Sequence, residues 1–174
     1  MPITREDIQA YRATEKPSPG VLLEAKRKGE QTGFLCHSHR DRDLAKRVQA
    51  FLADKGFRLY IDWEDPEMPA VPDRSTAERI QKRIKDLDWF LYLATSNSST
   101  SRWCPWEIGY ADGVKNLNDI LVIPTREGYT THGAEYLQLY QHVDLRNYST
   151  SINLVKTNGL LVEAWNIKAS TVTL

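Results

Sequence analysis

Trp89-Phe90-Leu91-Tyr92-Leu93-Ala94 is a run of six apolar residues with no polar alternation. A strand with one wet face alternates, whereas a short continuous run reads as a strand covered on both faces, the habit of parallel sheets. Similar runs lie on either side: Phe34-Leu35-Cys36, Phe57-Arg58-Leu59-Tyr60-Ile61 and Ile120-Leu121-Val122-Ile123, with a weaker fifth at His142-Val143-Asp144-Leu145. Between them the period changes. Leu44, Val48, Phe51 and Leu52 recur at helical spacing, and Gly56 supplies the stop. Ser75-Thr76-Ala77-Glu78 reads as a capping box ahead of Ile80, Ile84 and Leu87. Pro105 to Lys115 reads as a further helix with Pro105 at its first position. Strands alternating with helices imply right-handed βαβ units, hence an α/β fold with a central parallel sheet of about five strands and helices on both faces. Sites in such sheets lie beyond the carboxyl ends of the strands, so the segments after Cys36, Ile61, Ala94 and Ile123 matter most.

The flanks read differently. Residues 1–31 form an N-terminal helical extension broken at Pro17-Ser18-Pro19-Gly20, residues 32–146 the α/β domain, and residues 147–174 a C-terminal segment. In the last, Ser151 to Lys168 reads as a final helix with Ile152, Val155 and Trp165 available to pack. Lys+Arg and Asp+Glu balance at 23 each, so no global field favours nucleic acid or an anionic membrane. The acidic N-terminus has no apolar signal region, and no stretch approaches the length of a membrane span; the expectation is a cytoplasmic chain. Cys36 and Cys104 lie far apart, which fits reduced thiols. The Cys36-His37-Ser38-His39 cluster is too crowded for zinc and lacks a second ligand pair, so no metal is expected.

Neither G-x-x-x-x-G-K-[ST] nor G-x-G-x-x-G follows a strand. The informative segment is Ser101-Arg102-Trp103-Cys104-Pro105-Trp106-Glu107-Ile108-Gly109-Tyr110, where two tryptophans and a glutamate converge as a loop enters a helix. Flat aromatics there can hold a planar ring by stacking, and a carboxylate beside them can stabilise positive charge on a ribose. The alternative is structural: with Pro105 first, Glu107 is third, the ordinary capping-box position.

Phe34-Leu35-Cys36-His37-Ser38, Leu59-Tyr60-Ile61-Asp62 and Ser101 to Glu107 resemble, in order and spacing, successive sequence boxes of the Toll/interleukin receptor (TIR) family, over roughly residues 33–145. Trp103 and Glu107 match the W-x-x-x-E pattern of its enzymatic members. The resemblance implies a flavodoxin-like three-layer fold. It also implies cleavage of the nicotinamide–ribose bond of NAD, with Glu107 as the catalytic residue and NAD as substrate, so no separate cofactor is expected. The products would be nicotinamide with ADP-ribose or a cyclic isomer, which in bacterial antiphage signalling an effector would sense. Nicotinamide in NAD is already a cationic leaving group, so one ionised carboxylate suffices, and a helix N-terminus favours that form. Trp103 would flank the nicotinamide end.

Ser38, His39 and Arg40 would contact nicotinamide or phosphate, or else simply open the next helix. Asp62 is a strand terminus, a loop anchor or a site residue. One departure stands out: the loop after the second strand, Trp63 to Pro72, lacks the glycine common in the family and holds three prolines. Enzymatic members complete their site by self-association through this loop, which makes Trp63, Met68 and Val71 candidate contacts with a neighbouring subunit; the alternative folds Trp63 onto its own domain. Competing functions are a non-catalytic adaptor and a nucleoside deoxyribosyltransferase-like enzyme.

Overall fold

A computed structural model describes residues 2–4, 6–9, 11, 19–144, 153–155 and 161–162. In chain order the elements are α1 (Pro19–Arg27), β1 (Gln31–Cys36), α2 (Arg42–Ala53), β2 (Phe57–Tyr60), α3 (Arg74–Asp86), β3 (Trp89–Ala94), α4 (Ser96–Ser99), α5 (Cys104–Val114), β4 (Ile120–Pro124), β5 (Arg126–Glu127), β6 (Thr130–Thr131), β7 (Gln141–Asp144), β8 (Asn153–Val155) and β9 (Leu161–Val162). The main sheet runs β2-β1-β3-β4-β7-β8-β9. Its first five strands are parallel, as the apolar runs implied.

The pleat sorts each run onto two cores. Leu91 and Leu93 of β3 join Leu35, Leu59, Leu121 and Ile123 beneath α2, whose Leu44, Val48, Phe51 and Leu52 are all buried. Phe90, Tyr92 and Ala94 turn the other way, toward Ile80 and Ile84 of α3 and Ile108 and Ala111 of α5. Each aliphatic or aromatic side chain fully buried in this way contributes about 1.5–3 kcal/mol. Gly33 sits where the strands pack tightest: a Cβ there would lie 2.6 Å from Leu91 Cδ1 and 3.0 Å from Leu59 Cδ2. Gly56, at φ 84°, ends the turn after α2 in a conformation that a side chain disfavours.

Three local expectations are corrected. The capping box of α3 is built by Asp73 and Thr76, not by Ser75 and Glu78: Asp73 accepts from the Thr76 N–H while Thr76 accepts from the Asp73 N–H. Ser75 and Glu78 lie inside the helix, where Glu78 pairs with Arg74 one turn away at 2.9 Å. A final helix over 151–168 is overturned at β8 and β9, which extend the sheet antiparallel from β7. The exposed edge of β7 offers unpaired backbone groups, and satisfying them outweighs a helical pattern in the following chain. Ile152 and Trp165 lie outside the described residues. Finally, the N-terminal residues are woven into the domain. Ile3 pairs with Thr125 beyond β4, donating to Pro124 O at 2.7 Å and accepting from Arg126 N at 2.8 Å. Ile8 is fully buried in the core under α2.

Candidate active site

In the strand order, β1 is flanked by β2 on one side and β3 on the other, so the connections leaving β1 and β3 diverge. A crevice opens at such a switch point beyond the carboxyl ends of the strands. One wall is His37 to Asp41, after β1; the other is Thr95 to Trp103, after β3. Asp41 ties them together. It is buried and accepts from Thr95 Oγ1 at 2.6 Å and Asn97 Nδ2 at 2.7 Å. Nothing in the spacing of Asp41 announces this, because both donors lie more than fifty residues away.

Helix α5 carries the central acid into the crevice. It begins at Cys104, so Pro105 is its second residue and Glu107 its fourth. The capping-box reading of Glu107 therefore fails: the Glu107 N–H already donates to Trp103 O at 2.8 Å, and the side chain is turned inward with 5% exposure. The carboxyl neighbours the Cys36 thiol at the end of β1, with Cys104 and Asp62 in electrostatic range. Among the described residues no lysine or arginine pairs with it. Burial, reinforced by the negative character of Cys104 and Asp62, pushes the Glu107 carboxyl well above the usual carboxylate range. Desolvation thus opposes the ionised form that the helix N-terminus alone would favour.

Trp103, one helical turn before Glu107, is at the surface with 36% exposure. It meets Trp106 edge-on, centroids 5.4 Å apart at 87°, and Trp106 stacks on Tyr110 at 6.2 Å and 18°. The ridge leaves both tryptophans partly exposed on the helix that carries Glu107.

The loop residues divide. Ser38 caps the short turn His39–Asp41, accepting from Arg40 N at 3.4 Å, so it does open the next helix. Arg40 is exposed, with no ion pair among the described residues. His39 is exposed and its Nε2 lies 3.3 Å from Asp62 Oδ2. Burial opposes ionisation of Asp62, but His39, His37 and the Trp63 N–H hold its carboxyl below the usual range. The structure thus gathers Ser38, His39, Asp62 and Glu107 at one end of the sheet.

His37 is a residue that sequence reasoning passed over. Its Nδ1 lies 3.0 Å from Leu35 O, and its Nε2 accepts from Trp63 Nε1 at 2.8 Å. The first contact needs Nδ1–H, which leaves Nε2 with its lone pair, so the ring is neutral; burial pushes its pKa down. Arg42 covers the Trp63 ring at 5.0 Å. Trp63 therefore folds onto its own domain, and Met68 packs against the core beneath α3. Both stay half-buried on these intramolecular partners, and Val71 is 76% exposed.

The profile of the TIR domain family matches residues 34–155. The chain belongs to the TIR domain family. The match covers β1 through β8 and so takes in both walls of the crevice, α5 and Glu107. This TIR domain is also 32% identical, over 113 residues, to a Bacillus cereus (strain MSX-D12) protein named "Probable 3' cyclic ADP-D-ribose synthase ThsB'". That alignment spans 63% of this chain and 58% of the relative, so the similarity reaches little more than half of that protein's length.

Proposed function

We propose that this TIR domain cleaves the nicotinamide–ribose bond of NAD+ and releases nicotinamide with ADP-ribose or a cyclic ADP-ribose isomer. The observation that carries the reading is Glu107, a carboxyl held at 5% exposure with no cation among the described residues to balance it. An acid buried in this way is a costly feature unless a ligand supplies the missing positive charge. The nicotinamide end of NAD+ brings that charge, and the ribose acquires it as the bond breaks. The positive charge of the substrate lowers the Glu107 pKa, the proton is lost to solvent as NAD+ binds, and the carboxylate stabilises the oxocarbenium-like ribose. The open faces of Trp103 and Trp106 offer a stacking platform for the nicotinamide ring. Arg40, exposed and unpaired among the described residues, is suited to the pyrophosphate.

The name of the Bacillus cereus relative, a probable cyclic ADP-ribose synthase, favours the cyclic product; in antiphage defence such a product would serve as a signal that a downstream effector reads. Cytoplasmic residence suits the substrate and the two free, buried thiols of Cys36 and Cys104. Self-association fits the exposed aromatic ridge of α5 and Val71 better than it fits Trp63 or Met68. Specific activity that rises with protein concentration is the expected result. Incubation of the pure protein with NAD+, followed by chromatography of nicotinamide and the nucleotide product, tests the central reading. The wild type releases nicotinamide, and Glu107→Gln releases at least about a hundredfold less; a folded wild type that leaves NAD+ intact removes the activity.

A further inference from the structure

Asp62 and His39 form a pair that NAD+ cleavage by Glu107 alone does not use. Asp62 follows β2, and its carboxylate is held ionised while accepting from His39 Nε2 at 3.3 Å. That contact fixes the tautomer: Nε2 carries the hydrogen, and Nδ1 carries a lone pair. His39 Nδ1 has no partner among the described residues, and the side chain is 63% exposed at the mouth of the crevice. Asp62 lies in electrostatic range of both Cys104 and Glu107, and His39 in range of Cys104, so the pair belongs to the same cluster as the catalytic acid. A base oriented by a carboxylate through its far nitrogen, with its near nitrogen open, is the arrangement that removes a proton from an attacking hydroxyl.

We propose that His39, oriented by Asp62, is the general base that deprotonates the hydroxyl which captures the ribosyl cation. The inference rests on the NAD+ reading above and concerns its second half. In the first half, the C1–N bond breaks and its electron pair leaves with neutral nicotinamide, while Glu107 balances the charge on the ribose. In the second, a lone pair of the substrate's own second ribose hydroxyl, or of water, forms the new C1–O bond. The hydroxyl proton passes to His39 Nδ1 and then to solvent, so that each turnover releases one nicotinamide and one proton. Dividing the work in this way keeps Glu107 ionised through both bond changes once NAD+ is bound, which a carboxylate acting also as base could not do.

The groups facing His39 are Asp62 after β2, His37 and Arg42 on its own side of the crevice, and Cys104 at the start of α5. The hydrogen bond to Asp62 raises the His39 pKa above its ordinary 6.5, against burial and the opposing charge of Arg42. The base therefore becomes inactive as pH falls through that raised value.

Exchange of labelled nicotinamide into NAD+ separates the two halves, because nicotinamide attacks the ribosyl cation as a neutral ring nitrogen and loses no proton. The full chain, His39→Gln and Asp62→Asn are compared for exchange and for formation of cyclic or linear product between pH 5 and 9. In His39→Gln product formation falls by about a hundredfold while exchange stays within about threefold of wild type, the usual scale for loss of a general base. The ratio of product formation to exchange falls with acid in the wild type. It becomes flat in His39→Gln, and its fall moves to lower pH in Asp62→Asn. Added imidazole restores product formation to His39→Gly. Product formation near wild type in His39→Gln overturns the assignment, and so does a parallel loss of product and exchange, which marks a structural role. A wild type active in both assays with an unaffected His39→Gln sinks only the base. A wild type inactive in both sinks the NAD+ reading and the base with it.

Discussion

The two ends of the sheet treat their acids in opposite ways. At the amino end, Asp88 precedes β3 and is fully provided for: it accepts from the Thr32 N–H at 3.0 Å and the Thr32 hydroxyl at 2.6 Å, and pairs with Lys26 at 3.1 Å. Burial opposes its ionisation, but Thr32 and Lys26 overcome that and hold its carboxyl below the usual range. Lys115 closes the same rim by donating to Leu87 O at 2.6 Å. At the carboxyl end, Glu107 is more deeply buried, lacks a cation among the described residues, and is pushed the other way. One fold thus holds an acid whose cationic partner is internal and an acid with no such partner among the described residues. Burial and pairing change together: Asp88 keeps 31% of its side-chain exposure and an ion pair, whereas Glu107 is 5% exposed with no cation beside it among the described residues.

That contrast can be broken at either end. The largest effect is expected from Glu107→Gln, a loss of at least about a hundredfold in nicotinamide release, equivalent to roughly 2.7 kcal/mol of transition-state stabilisation. Asp88→Ala is expected to do the reverse. It removes charge-assisted hydrogen bonds and lowers unfolding stability by about 1.5–3 kcal/mol in urea titration. Nicotinamide release per folded molecule should stay unchanged. An Asp88→Ala protein of normal stability and impaired turnover would dissolve the distinction.

Glu107 also makes a stability prediction. Its folded pKa lies above the unfolded value of about 4.5. The folded state therefore binds the extra proton, and its stability declines as pH rises from the unfolded pKa through the folded one. Glutamine carries no such penalty. Glu107→Gln should melt with the wild type near pH 4 and progressively above it toward pH 8; a constant difference in Tm across that range would count against a buried, raised acid.

The smallest effect concerns the bond that ties the loop after β2 to His37 after β1. Trp63→Phe deletes the indole donor to His37 and should cost about 1 kcal/mol. His37 is depressed in the fold, so its contribution is present above its unfolded pKa of about 6.5 and lost as pH falls through the folded value. The Trp63→Phe penalty should accordingly shrink in acid, where protonated His37 no longer accepts from the indole. A penalty independent of pH would leave the hydrogen bond without a role.

Much of the architecture was legible in the chain. Trp89 to Ala94 is a strand with the bounds read from its run of apolar residues, and α2 and α5 lie where periodicity and Pro105 put them, because a parallel sheet covered on both faces demands continuous apolar runs. What misled were ends and edges. Ser75-Thr76-Ala77-Glu78 satisfies a capping pattern that Asp73 satisfies two residues earlier, and local sequence cannot rank two competing caps. The segment around β8 carries a helical pattern, yet it forms a strand because β7 presents an edge.

Sequence alone determined the α/β class and the chemical types gathered at the crevice, a glutamate beside tryptophans with Ser38, His39, Arg40 and Asp62 near the strand ends. These follow from periodicity and from a topology that brings loops together. Only the tertiary structure decided the states of those groups. Whether Glu107 is ionised depends on how much water reaches it, and whether His37 is neutral depends on an indole from 26 residues away. Whether Trp63 faces a neighbour or its own core depends on Arg42 and His37 reaching it first. Desolvation and hydrogen bonding act between atoms adjacent in space, and no spacing along the chain encodes them directly.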